Sequence, residues 1–471
     1  MSMSPEVIGF SFIILGVLLI IGKWLRVSTP FLQKFFVPSS IIAGLLGLLL
    51  GPEILGKMGV ELFDIGGLFP ESMLEVWEEL PGLLISVIFA SFFLSKTIPP
   101  IKKIWRISGP QITFSHFISW GQYVLGISMA IFILTPFFDL NPAAGALLEI
   151  SFVGGHGTAA GLSGTFSSVD FEEGKDLAIG LATVGVLAGV ILGIILVNWG
   201  ARKGKTEILN SPNDITEEQL KGIISEENQE DEPVGKKTTR SEFIETFTVH
   251  FAYIGVAIGV GYLILEGLIL LEEALWVDTI ELFTHLPLFP LAMVGAIIVQ
   301  LLVDKCVKHK IFDTGIVNRI QGFALDLLIA SAIATLSISV IGEYWVPFLL
   351  MSITAIAWNV LAFIYIAPRM MPDYWFERGI GDLGQAMGMS AAGMMLINLA
   401  DPQTETPAKK SFGYKQIFLD LIVGGGIVTA ASVPIIVAFG PVPALIVATV
   451  VTVGWLLLGL LYFGKKEKER T

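Results

Sequence analysis

Apolar runs long enough to cross a lipid bilayer recur along almost the whole chain of 471 residues. A helix of about 20 apolar residues spans the hydrocarbon core, where every backbone polar group must be bonded within the protein. Eleven such runs are predicted, at about 7–22, 38–55, 82–95, 110–136, 176–199, 247–271, 288–303, 321–341, 345–367, 417–439 and 442–463. The sequence therefore predicts an all-α polytopic membrane protein with about eleven transmembrane helices, embedded in a lipid bilayer.

Charge excludes several classes of function. Only 15% of the residues are charged, against about 25% in soluble domains. The formal net charge of −13 leaves no basic face for nucleic acid. The single cysteine and the scattered histidines are a separate argument: they show no metal-ligand spacing, so no cofactor is expected. After these exclusions, the remaining classes of function are a transporter, a channel and a membrane-embedded enzyme.

Two further apolar segments, 143–168 and 379–400, are interrupted by glycine and small polar residues. Broken backbone at membrane depth must be buried or line a cavity, so both are interpreted as re-entrant hairpins. With eleven spans and two hairpins, 27 of the 29 lysines and arginines fall in predicted cytoplasmic segments. The predicted topology places the N-terminus outside and the C-terminus in the cytoplasm, in the inner membrane.

The same order of elements occurs twice: four spans, a hairpin and a fifth span. The first repeat is assigned to 1–200 and the second to 247–440, separated by a polar cytoplasmic linker at 201–246. An extra helix and a basic tail occupy 441–471. Because each unit has an odd number of spans, the second must be inverted, which is a common plan of secondary transporters.

The first hairpin contains the candidate substrate residues Gly154, Gly155, His156, Gly157 and Thr158. The glycines permit a turn, and a helix beginning near Thr158 would direct free N–H groups toward an anion. Thr158 is also a candidate ion ligand. Close helix packing is the alternative role for the glycines, and a structural hydrogen bond is the alternative for His156.

Polar residues elsewhere in the apolar segments complete the candidate site, because burying them in a bilayer is costly. Gln122 and Asn359 lie in the fourth spans, and Gly384 and Gln385 in the second hairpin, as substrate candidates. Asp382 and Asp326 are candidate sodium ligands, since hard cations prefer oxygen. The alternatives are interhelical hydrogen bonds and, for Asp382, a pair with Arg378 one helical turn away.

The run Val153-Gly-Gly-His-Gly-Thr-Ala-Ala160, a preceding helix that contains Gln122, and the early Val37-Pro38 resemble the bacterial sodium/glutamate symporter family. The resemblance covers roughly residues 6–439. It implies symport of glutamate or a related small anionic amino acid or dicarboxylate, with sodium as the coupling ion, by alternating access in a homodimer.

Three other functions are weighed against symport. Gly379-Ile-Gly-Asp382 spells the GxGD of intramembrane aspartyl proteases, and Asp326 would supply the second carboxylate. The tyrosine that precedes the first aspartate in that family is replaced here by Leu325. A channel would need a ring of identical filter elements, which the sequence does not suggest. A proton-coupled transporter or exporter of an organic anion shares every feature above, and ion dependence alone separates it from a sodium symporter.

Overall fold

A computed structural model of the chain describes residues 4–60, 66–95, 99–208, 238, 243–276, 281–307 and 311–464. Within these residues the secondary structure is helical, with no β-strand. Ten of the described helices are long and apolar enough to cross a membrane. The prediction of an all-α polytopic membrane protein is confirmed. Most of the predicted linker and the end of the basic tail lie outside the described residues.

The ten long apolar helices correspond to ten of the eleven predicted runs. In chain order they are Pro5–Ser28, Ser39–Gly56, Ile101–Phe138, Glu173–Arg202, Thr246–Leu275, Phe289–Cys306, Thr314–Ala334, Trp345–Met370, Ala408–Phe439 and Pro441–Phe463. The remaining run, predicted at 82–95, overlaps the second half of the helix Glu71–Ser91. The predicted run starts later than the helix because several glutamates lower the hydropathy of the first half.

The ninth of these helices, Ala408–Phe439, contains a break within the run predicted at 417–439. It consists of Ala408–Ile422 and Ile427–Phe439, with an unwound stretch at 423–426 between them. Gly424 and Gly425 have φ values of +71° and +99°, a conformation that glycine adopts without the steric cost paid by other residues. Three consecutive glycines therefore interrupt the helix inside the apolar segment.

The two glycine-containing segments are broken as expected. The first broken segment, 142–168, contains the 3₁₀ turn Pro142–Ala146 and the short helices Leu147–Phe152, Gly155–Gly161 and Ser163–Ser168. The second broken segment, 375–400, contains the helices Trp375–Gln385 and Ser390–Ala400, separated at 386–389. Entry and exit of each segment on one side of the membrane stays a prediction.

The chain forms two compact units, each of which draws on both predicted repeats. The first comprises Met1–Ile98, Ala160–Thr165 and Glu217–Ile338, and the second comprises Pro99–Ala159, Phe166–Thr216 and Ser339–Thr471. The first unit thus takes the first three spans of each predicted repeat. The second takes the fourth span, most of the broken segment and the fifth span of each.

Within the first unit, small residues allow close helix packing. Gly44 on Ser39–Gly56 faces Ala330 and Ile333 on Thr314–Ala334, where an added Cβ would lie 2.6 Å from the Cβ of Ile333. Such a contact requires a residue without a side chain, so the two helices approach closely at Gly44.

In the second unit, the two fourth spans end in the same way. Ile101–Met129 continues into the π-helical turn Ala130–Leu134, and Trp345–Leu361 continues into the π-helical turn Ala362–Ile366. A four-residue helix with proline at its second position, Pro136 or Pro368, follows each turn. This shared ending agrees with the predicted repeat, which itself stays a prediction.

The extra C-terminal helix packs against the first of these fourth spans. The ring of Trp455 stacks on that of His116, with ring centroids 4.6 Å apart and planes 9° from parallel. Further along, Phe463 covers Gly109, whose missing side chain leaves room for the ring. The helix therefore belongs to the second unit by packing.

Candidate functional site

The interruptions of the two broken segments contact each other in the second unit. Gly155 has φ +73° and Gly388 has φ +134°, so both adopt backbone conformations that favour glycine. A Cβ on Gly155 would overlap the carbonyl oxygen of Gly388. We refer to this contact as the crossing. The helix of the first segment starts at Gly155 rather than near Thr158, so the turn precedes the predicted position by three residues.

Gln122 and Asn359 meet beside the crossing. The side-chain amide of Gln122 donates to Asn359 Oδ1 at 3.0 Å, and both amides donate to the carbonyl oxygen of Ala386, at 3.2 Å and 2.8 Å. Both side chains are fully buried. They satisfy a carbonyl that the break at 386–389 would otherwise leave unpaired. The two amides are not at equivalent repeat positions, since Gln122 precedes its π-helical turn by eight residues and Asn359 by three.

His156 is buried and held by Thr183. Its Nε2 lies 2.9 Å from Thr183 Oγ1, whose own hydrogen is donated to the carbonyl oxygen of Ile179. Nε2 must therefore carry the proton, which leaves Nδ1 as an acceptor. That Nδ1 has no hydrogen-bond partner among the described residues. The structural hydrogen bond considered for His156 exists, and one ring nitrogen remains available for a ligand.

The other predicted residues of the broken segments differ in their surroundings. Thr158 donates its hydroxyl to the carbonyl oxygen of Gly154 at 3.1 Å. Gly384 packs against the backbone of Gly393, where a Cβ would lie 2.8 Å from its nitrogen. Close packing therefore accounts for Gly384. Gly157 is half-buried in the helix that starts at the crossing.

Asp382 is paired with Lys415 rather than with Arg378. Lys415 Nζ lies 2.7 Å from Asp382 Oδ1, and both side chains are 1% exposed. The amide of Gln111 donates to the same Oδ1 at 3.0 Å. Arg378 donates instead to the carbonyl oxygen of Ile107. The buried partner of Asp382 thus comes from Ala408–Ile422. The charge pattern predicts Lys415 among the 27 cytoplasmic basic residues, but the structure buries it.

Asp326 belongs to the first unit, on Thr314–Ala334. Its side chain is exposed, and Ser40 on a neighbouring helix of that unit lies close enough to interact with it. The interhelical hydrogen bond considered for this residue stays a prediction. All other predicted site residues lie in the second unit.

Glu149 is a buried carboxylate that the sequence reasoning missed. It accepts hydrogen bonds from the Tyr123 hydroxyl at 2.6 Å, the Gly424 N–H at 2.7 Å and the Thr429 hydroxyl at 3.1 Å. Gly424 lies within the unwound stretch 423–426, and Thr429 follows it in the next helix. A lone glutamate within the apolar run Ala143–Phe152 was the available signal.

Several buried acceptor atoms of the second unit have no hydrogen-bond partner among the described residues. Beyond His156 Nδ1 they include Gln111 Oε1, Gln122 Oε1 and Asp382 Oδ2. Buried polar atoms are nearly always satisfied, so unpaired acceptors mark places where a cation or an N–H donor would bind favourably.

The chain also matches known proteins. The family model described as sodium/glutamate symporter matches residues 8–377. The chain belongs to the sodium/glutamate symporter family. Within it, the chain is 24% identical over 356 residues to the sodium/glutamate symporter of Escherichia coli (strain K12), covering 75% of this chain and 78% of that protein. The sodium/glutamate symporter of Shigella flexneri matches with the same identity and coverage.

Membership of the sodium/glutamate symporter family confirms the resemblance seen in the sequence and makes the chain a transporter rather than an enzyme. The matched region contains the first broken segment and both buried amides, Gln122 and Asn359. It ends at residue 377, so Asp382, Gln385 and Lys415 lie outside it.

Proposed function

We propose that this member of the sodium/glutamate symporter family carries glutamate or a related small anionic substrate across the inner membrane, coupled to sodium, by alternating access. The observation that carries the proposal is the family match over residues 8–377, which includes the glycine-histidine motif at the crossing. The symporters of the two matched bacteria are named for sodium and glutamate, and the proposal extends both to this chain.

The substrate would bind at the crossing. His156 Nδ1 and Gln122 Oε1 are buried acceptors without a hydrogen-bond partner in the described part of the chain, and both suit the ammonium group of an amino acid. The helix Ser390–Ala400 begins at the same place, and its first-turn N–H groups suit a carboxylate. Gly155 and Gly388 let backbone approach the ligand without side-chain interference.

The sequence predicts three sodium ligands: Thr158 and Asp382 in the second unit, and Asp326 in the first. Asp382 already has Lys415 as its counter-charge, so the coupling sodium would bind to other oxygen atoms. We further propose an N-terminus outside, a cytoplasmic C-terminus and a homodimer.

The test is uptake by the purified protein in sealed liposomes. Uptake of radiolabelled glutamate and aspartate is measured under an inward sodium gradient, an equal choline gradient and a proton gradient without sodium. Unlabelled dicarboxylates are added as competitors of glutamate uptake. We expect glutamate uptake to require the sodium gradient and to persist when a protonophore dissipates the pH gradient.

Two variants separate substrate binding from general damage. Asn359→Ala removes the amide that supports the Ala386 carbonyl and should impair uptake, whereas Lys410→Met changes an exposed lysine and should not. Uptake driven by the proton gradient and indifferent to sodium would assign the protein to proton-coupled transport instead.

A further inference from the structure

Lys415 is a fully buried lysine whose ammonium group is saturated by oxygen atoms. Its Nζ lies 2.7 Å from Asp382 Oδ1 and 3.0 Å from Ser115 Oγ, and it also donates to Gln385 Oε1. An ammonium group has three protons, and each has an acceptor here. The ring of Phe412 lies 4.5 Å from Nζ on a further side. No proton of Lys415 remains for a substrate carboxylate.

The three acceptors form the kind of ligand set that binds an alkali cation. They are one carboxylate, one amide carbonyl and one hydroxyl, all hard oxygen donors. All three residues are at most 4% exposed. They lie on two helices, Ile101–Met129 and Trp375–Gln385, and the lysine reaches them from a third. The ammonium thus joins three helices, as a bound metal ion would.

A charge at this place is required by Asp382. A carboxylate buried without a counter-charge is strongly unfavourable, and removing one partner of a buried pair leaves that cost uncompensated. Gln111 supports the carboxylate with a hydrogen bond at 3.0 Å but carries no charge. Lys415 provides the neutralising positive charge, and the family match ends before both members of the pair.

We propose that the Lys415 ammonium is a tethered cation that occupies a sodium-type site formed by Asp382, Gln385 and Ser115. In this chain Asp382 is then neutralised without sodium, and the coupling sodium of the proposed function, on which the inference rests, binds to other oxygens. Removal of the ammonium should convert the cluster into an additional sodium site.

The experiment counts sodium bound to the purified full chain, with ²²Na⁺ as the probe and choline to hold ionic strength constant. Lys415→Met removes the charge and keeps an apolar stem of similar length. We expect it to bind one more sodium ion per chain at saturation than the parent. Its thermal midpoint should also rise more steeply with sodium concentration than the parent's does. Lys410→Met, an exposed lysine on the same helix, should match the parent in both measurements.

The double variant Asp382→Asn with Lys415→Met tests the carboxylate and guards against misfolding, because it removes both charges together. It should bind the parent's number of sodium ions. An unchanged sodium count in folded Lys415→Met would overturn the proposal, and so would a double variant that binds fewer ions than the parent. These counts do not depend on uptake, so a parent that transports without sodium would refute the proposed function separately.

Discussion

Thr429 connects Glu149 to the unwound stretch 423–426, and its hydroxyl serves two groups. It donates to Glu149 Oε1 at 3.1 Å and accepts from the N–H of Gly425 at 3.1 Å. Glu149 and Thr429 are both fully buried. Since the break leaves backbone groups without helical partners, this hydroxyl satisfies a carboxylate and a peptide N–H together.

Thr429→Val keeps the shape of the side chain and removes both hydrogen bonds. A hydrogen bond to a charged group contributes about 1.5–3 kcal/mol, and a buried donor left unpaired costs about 1–3 kcal/mol. Because neighbouring effects are not fully additive, we expect a total destabilisation of about 3–5 kcal/mol. Thr429→Ser keeps the hydroxyl and loses a methyl group, which should cost about 1 kcal/mol.

The assay is thermal unfolding of the parent and both variants, purified in one detergent and followed by the loss of the monodisperse peak in size-exclusion chromatography. The valine variant should unfold at a clearly lower temperature than the serine variant. Equal midpoints for valine and serine would show that the hydroxyl does not hold the break, and would refute the reasoning. Tyr123→Phe, which removes the donor at 2.6 Å from Glu149 Oε2, should also lower the midpoint.

Three further predictions concern the crossing, the topology and coupling. Gly155→Ala should lower uptake at least tenfold, because both the φ of +73° and the overlap with the Gly388 carbonyl oxygen oppose a side chain. As a control, Gly164→Ala adds its methyl group to open space and should leave uptake unchanged in the same assay. The exposed Cys306 is first replaced with serine. A new cysteine at the exposed Ser167 should then react with an impermeant thiol reagent only from outside, and one at the exposed Gln403 only from the cytoplasm. Reaction of both cysteines from the same face would contradict the inverted repeat. In equilibrium titrations, sodium should raise the affinity for glutamate, and glutamate should raise the affinity for sodium by the same factor, because coupling between two binding sites is reciprocal. A glutamate affinity that does not change with sodium concentration would contradict sodium coupling.

Most of the helical architecture could be predicted because hydropathy is a local property of the sequence. Ten predicted runs have matching long helices, and the two broken segments were located by their glycines. The break at 423–426 was missed because its three glycines lie within an apolar run that hydropathy does not interrupt. Residues 71–80 lie outside the predicted span although they are helical, because their glutamates lower the hydropathy.

Some of the residues that meet at the crossing could be named from the sequence, and their role in binding stays a prediction. Gly155, His156, Gln122 and Asn359 were recognisable because polar or flexible residues in apolar segments are costly and need a purpose. The sequence did not identify Lys415 as the partner of Asp382, because the two residues lie on different helices. Lys415 also lies near the predicted membrane boundary, where a lysine is expected to face the cytoplasm.

A polytopic helical membrane protein, the positions of most of its helices and its family can be predicted from the amino-acid sequence. These follow from the apolar content of each segment and from a local motif. The packing of the helices establishes the rest: which spans form each compact unit, that the two glycine breaks contact each other, and that Asp382 is neutralised by Lys415. Those outcomes depend on packing between segments far apart in the chain. Burial there removes water, so that a polar group left without a partner on another helix is energetically costly.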